Sequence, residues 1–416
     1  MSRPADLSFN PADPAMIENP VPFLRHLQDV DPVHWSGHMR SWIITRYDDV
    51  KRIQSNKDIS ADRLTPFFER LPDERRTVIA DLIRYLNTWI AFKDPPDHTR
   101  LRQLLIKTFT PSRVKHLRPR IEELVRHLLD GLEDRADFDF ISEFAFPLPA
   151  QVIMSMMGIP FADMADLKHW SDMMQPFIGN ASASPDKYER AGRGAVAMAD
   201  YFRGLVADRA KNPGDDLISL LRALRDEDDK LTEDEVIGTC MLFLFGGHET
   251  TTNLIGNGMR ALLQNPGQLA LLQRDPGLIK SAVEEFLRFD GPTGGVVRVV
   301  KVTHDWHGKT MHKGERVYAM VNAANHDASV FERPEILDIR RSPNPHLTFN
   351  HGIHFCLGAP LARLEGEIAI GEAVKRFPRL QQTGGPVTYM DTLVMRGARS
   401  MPVHNPDAGG QGRKTV

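Results

Sequence analysis

Apolar residues recur at three- and four-residue spacing over most of the chain, which is the pattern of amphipathic helices. That spacing predicts helices over 17–27, 49–55, 98–109, 111–135, 148–157, 162–178, 185–210, 215–226, 233–264 and 361–377. Alternating, β-branched stretches at 33–47 and 299–320 predict short strands, with a second small β region near 387–403. The expected fold class is mainly α with small β regions. No linker or low-complexity stretch divides the pattern. One large domain is expected over 21–404, with 1–20 as an N-terminal arm and 405–416 as a disordered tail.

The longest helix has the strongest boundaries. Thr232 and Glu235 form a capping box at its start, and Asn265-Pro266-Gly267 stops it. About 30 residues at 1.5 Å each give roughly 45 Å, enough to cross a domain. Met241 to Phe245 is apolar all round, so this stretch is expected to be buried. It then meets Gly246-Gly247-His248-Glu249-Thr250. Two glycines inside a helix cost about 1 kcal/mol each relative to alanine. A buried carboxylate costs more unless it is paired. A kink with a solvated polar patch would explain the block. So would a groove beside a flat ligand, with an acid and an alcohol placed to relay protons.

Composition narrows the function. The chain has 416 residues, 41% of them hydrophobic, enough for a large core. A net charge of -3 gives no global attraction to nucleic acid or anionic membranes. No run approaches the roughly 18 apolar residues needed to span a bilayer. Two cysteines offer no disulfide framework, so a cytoplasmic location is expected.

One of those cysteines, Cys356, lies in Phe349-Asn350-His351-Gly352-Ile353-His354-Phe355-Cys356-Leu357-Gly358, just ahead of the 361–377 helix. A lone cysteine is commonly a small buried hydrophobe. Here Gly352 and Gly358 can take positive φ, and the helix N-terminus favours a thiolate. The run resembles the haem-binding loop of the cytochrome P450 family, in which a cysteine thiolate holds the iron. Asn350 departs from the Gly common at that position, and Asn tolerates left-handed backbone. The Gly246 to Thr250 block resembles the oxygen-activation segment of the same family. Glu285 and Arg288 resemble its Glu-x-x-Arg pair.

The resemblance spans roughly residues 22–403 and implies a single triangular domain. Haem b (iron protoporphyrin IX) would lie between the long central helix and the helix after Cys356. Phe349, Gly352, Gly358, Gly246 and Gly247 would border it. His98, Arg102, Arg298 and His354 would hold its propionates, and Cys356 its iron. The implied reaction splits dioxygen with two electrons and two protons and puts one oxygen into a substrate C–H bond. Glu249 and Thr250 would supply the protons. No G-x-G-x-x-G follows a strand, so electrons are expected from a ferredoxin or flavodoxin with an NAD(P)H-dependent reductase. Residues 99–120 hold seven Lys and Arg and no acid. That run is either a solvated face or a docking patch for an acidic donor. Leu64, Phe67, Trp89, Phe177, Val297 and Met395 are expected in a hydrophobic pocket, with Gly294 and Gly295 leaving room for a terpenoid, steroid or polyketide. A peroxide-using peroxygenase, a nitric-oxide-reducing relative and a haem sensor are the competing functions. Intact Glu249 and Thr250 argue against the first.

Overall fold

The computed structural model describes residues 9–179, 186–225, 231–384 and 387–409. Helices dominate it, and five position the site: α1 (Asp97–Leu105), α2 (Pro147–Met157), α3 (Glu233–Gln264), α4 (Ile279–Asp290) and α5 (Ala359–Arg376). α3 starts and stops where its caps predict. The Thr232 hydroxyl accepts the Glu235 N–H at 3.2 Å, and the Glu235 carboxylate accepts the Thr232 N–H at 2.8 Å. α2, α4 and α5 all pack against α3. Its residues Leu244, Phe245, Leu254 and Ile255 are buried in the same core as Phe286, Leu287 and Ile370. Each such side chain contributes about 1.5–3 kcal/mol on burial.

A five-stranded sheet lies beside this helical core. Its strands are β1 (Val33–Ser36), β2 (Ser41–Ile44), β3 (Ile59–Ser60), β4 (Val296–Val300) and β5 (Arg316–Ala319), in the spatial order β1-β2-β5-β4-β3. β2 and β5 pair in parallel and the other neighbours antiparallel. A three-stranded sheet joins Asp137–Asp139, Pro402–His404 and Gln381–Gln382.

Several expectations need correction. The helix expected over 17–27 is two, Pro14–Glu18 and Val21–Val30, because the residue before Pro20 disfavours helical backbone. The helix expected over 111–135 breaks at Leu117, ahead of Pro119. The pattern reading omitted a helix at Asp73–Leu86. The N-terminal arm is packed rather than loose from Phe9, which is 1% exposed. Asn405, placed in the disordered tail, is buried and donates to Glu133 O at 3.1 Å. Residues 1–8 and 410–416, and the helix limits expected at 185 and 226, lie outside the described residues.

Candidate active site

The Phe349–Gly358 loop folds back on its own sulfur residue. The Cys356 N–H donates to Phe349 O at 2.8 Å. Asn350 and Gly352 take φ of 67° and 72°, the left-handed backbone their side chains permit. Gly358 does not; its φ is −83°. Its part is to start α5, where the Ala359 N–H donates to Cys356 O at 3.4 Å. Burial pushes the Cys356 thiol up, while the Gly358 N–H, Arg102, the Ala359 N–H and Arg363 pull it partly back. Yet Cys356 is also open to solvent. Its sulfur is therefore reachable at the start of α5.

α3 shows a second opening. Gly246 is exposed in the middle of an otherwise buried stretch, and a Cβ there would meet only Leu242 Cδ1, at 3.9 Å. Gly247 does not share this role, because its Cβ position faces Ile153 of α2 at 3.2 Å. The helix runs on without a break. The Thr250 hydroxyl donates to Gly246 O at 2.9 Å.

Glu249 is buried and turned toward His248, with Oε1 3.2 Å from Nε2. The atoms are within ion-pair distance but too poorly aligned for a hydrogen bond. His248 Nδ1 lies 2.7 Å from Leu244 O, a pure acceptor, so Nδ1 carries a proton. Burial pushes the Glu249 carboxyl up, but His248, with lesser help from Lys168 and Arg399, outweighs it and holds the carboxyl below its ordinary range.

His98, Arg102, Arg298 and His354 come together although they are far apart in sequence. The His98 and His354 rings are 4.4 Å apart. Arg102 Nη1 donates to Phe355 O at 2.7 Å. Both ring nitrogens of His98 are buried without a partner. Burial, with Arg298, His98 and Arg102 nearby, pushes His354 down to about 3. Burial and Arg63 push Arg298 down to about 10. The nearest acid, Asp94, is committed to Ser60 Oγ at 2.6 Å and the Ala61 N–H at 2.9 Å.

Behind the loop, Glu285 and Arg288 are not an exposed helix pair. Both side chains are 0% exposed and 2.7 Å apart. Arg341, far along the chain, joins Glu285 at 3.1 Å. The basic run is thinner than its sequence suggests. Arg100 pairs with Glu235, Arg118 with Glu122 and Glu367, and Arg120 with Glu123. Arg113 and Lys115 carry no ion pair among the described residues.

The family model for cytochrome P450 matches residues 32–275 and 277–400. The chain belongs to the cytochrome P450 family. Cytochrome P450 107B1 of Saccharopolyspora erythraea is 40% identical over 93% of each chain. The biotin biosynthesis cytochrome P450 of Bacillus subtilis is 39% identical over 95% of this chain and 99% of its own. The crystal structure of P450BioI, in complex with an acyl carrier protein ligated to hexadec-9Z-enoic acid, superposes with a TM-score of 0.87 at 37% identity. It covers 94% of this chain and all of that one.

As a P450 monooxygenase the protein uses haem, and its residues suit that group. The His98 ring nitrogens, buried without a partner beside Arg102, Arg298 and His354, cost the fold about 1–3 kcal/mol unless an acceptor arrives. Two propionate carboxylates are such acceptors. The accessible sulfur at the start of α5 suits a metal-bound thiolate. No helix among the described residues of this P450 is long and apolar enough to cross a membrane.

Proposed function

We propose that this P450 hydroxylates a hydrophobic organic substrate at a haem held by Cys356, between α3 and α5. The observation that carries the assignment is the sulfur, solvent-accessible at the start of α5 on a loop that closes through the Cys356 N–H to Phe349 O. Phe349, Gly352 and Gly358 shape the loop around the cofactor, and Gly246 gives it room beside α3. His98, Arg102, Arg298 and His354 bind the propionates by charge-assisted hydrogen bonds. Haem bound there supplies dioxygen binding and O–O cleavage, which the thiolate promotes by electron donation.

The chain's own part is proton handling and exclusion of water. Glu249, held beside His248, is the acid inside α3. The Thr250 hydroxyl, half-buried beside Gly246, passes protons between Glu249 and the haem side of α3. Electrons come from a ferredoxin or flavodoxin with its NAD(P)H-dependent reductase, docking near Arg113 and Lys115. Leu64, Phe67, Phe177 and Val297 line one cavity and support a hydrophobic substrate. Gly294 and Gly295 lend no support to a bulky one. A Cβ at Gly294 would lie 2.6 Å from Leu393 O, and one at Gly295 3.1 Å from Ala319 O. These glycines permit close packing and do not make space.

The reduced, carbon-monoxide-bound absorption spectrum tests the assignment. The wild type should show the red-shifted Soret band of a thiolate-ligated carbonyl complex, and Cys356→Ala should lose it. A wild type without the band, or a Cys356→Ala variant that keeps it, overturns the proposal.

A further inference from the structure

A cavity of about 690 Å³ opens between the sheet and the segment around Leu64–Leu71. Trp35, Leu64, Phe67 and Phe177 give it apolar walls. Its charged residues are unbalanced. Arg40, Arg63, Arg70 and Arg316 face one acid, Glu315. That acid is already used, accepting Trp42 Nε1 at 2.7 Å and the His312 N–H at 2.8 Å. Arg70 and Arg316 reach only backbone carbonyls, Gly314 O at 3.4 Å and Met39 O at 3.3 Å. Like charges gathered on one rim repel, and an anionic ligand relieves that repulsion.

Arg63 is the most deeply set of the four. One arm of its fork, Nη2, donates to Ile178 O at 2.7 Å. The guanidinium lies 5.0 Å from the Phe92 ring centre. The other arm, Nη1, is buried without a partner. Burial, more than Arg316, pushes its pKa down to about 10, so it stays charged at neutral pH. A buried, charged guanidinium with a free arm is built to take an oxyanion. The haem propionates are not the obvious claimant, since His98, Arg102, Arg298 and His354 already serve two carboxylates. Val297 and Val299 line the cavity, and Arg63 is close enough to Arg298 to depress it, so retention of haem by an Arg63 variant decides between a rim anchor and a propionate ligand.

We propose that this rim binds the carboxylate of an amphiphilic acid, with Arg63 as its anchor, so that the preferred substrates are long-chain organic acids. The apolar body of the acid lies against the Phe67 and Phe177 walls. The proposal rests on the haem reading of the inner site and narrows its substrate class.

The test titrates the holoenzyme with a long-chain fatty acid, its methyl ester, and the same acyl group as a thioester on an acyl carrier protein, reading the spin-state shift. Wild type should bind the acid at least about ten-fold more tightly than the ester, the value of one charge-assisted pair. Arg63→Met should remove that preference while leaving ester affinity within about two-fold, and Arg63→Lys should keep much of it. Equal affinities for acid and ester in wild type overturn the proposal. So does an Arg63→Met variant that purifies without haem, which would make Arg63 a propionate ligand. A preference for the thioester over the free acid overturns it in favour of a carrier-protein docking rim. A wild type lacking the thiolate-type carbonyl spectrum would sink the haem reading instead, and equilibrium dialysis of labelled acid against ester would then judge the rim by itself.

Discussion

Replacing Arg288 by leucine removes the centre of the polar knot behind the Cys356 loop. Arg288 donates to Glu285 and to three carbonyls, Asn325 O at 3.0 Å, Pro334 O at 2.8 Å and Ile336 O at 3.2 Å. Losing one partner of a fully buried ion pair costs about 3–5 kcal/mol. Glu285 keeps Arg341, Asn344 Nδ2 and the Asp338 N–H, which holds that cost near its lower end. Each stranded carbonyl adds about 1 kcal/mol, and the buried leucine returns about 1.5–3 kcal/mol. The net loss should be about 4 kcal/mol, a large part of a typical domain's margin of about 5–15 kcal/mol. Guanidinium denaturation followed by tryptophan emission measures it, alongside the yield of soluble haem protein. Arg341→Gln, at the edge of the knot with a 10% exposed side chain, should cost less, about 1–2 kcal/mol. An Arg288→Leu protein within about 1 kcal/mol of wild type would refute the reasoning, because no buried pair of this geometry is that dispensable.

Thr250→Ala should leave substrate binding intact but divert electrons from product, read as NAD(P)H consumed per product formed; unchanged coupling removes Thr250 from the relay. His248→Leu takes away the group that holds the Glu249 carboxyl low, leaving burial to raise it. The acid limb of the turnover profile should then move to higher pH, and an unmoved limb would show that Glu249 does not titrate in turnover. Glu284 is pushed up by burial, but Arg363 and His346 outweigh this and hold it at about 2. Its folded pKa is depressed, so its stabilisation is complete above the ordinary value of 4.5 and is lost as pH falls toward about 2. Glu284→Gln should flatten the stability profile across that window, and an identical acid slope in both proteins would count against the pair.

Legibility in the sequence followed how local each determinant was. The limits of α3 were readable because a capping box and an Asn-Pro stop act within one turn. The left-handed Asn350 was readable for the same reason. Glycines were read poorly. Gly246 and Gly247 are adjacent, and only the position of Ile153 shows that one faces space and the other a helix. Gly294 and Gly295 looked like room for a substrate until Leu393 O and Ala319 O were in place. Arg341 carried no signal, since its partner Glu285 lies 56 residues upstream. The helix at Asp73–Leu86 carries one, with Ile79, Leu82, Ile83 and Leu86 on one face.

The small sheet joining Asp137–Asp139 to Pro402–His404 has a consequence for biogenesis. A strand made in the first third of translation waits for a partner made at the end. β2 waits similarly for β5. Pairings so distant in sequence pay their loop-closure entropy late and slow the approach to the native state. A nascent chain halted before 402 therefore leaves an unpaired edge beside a helical core, and chaperone dependence and aggregation should concentrate in such truncated products.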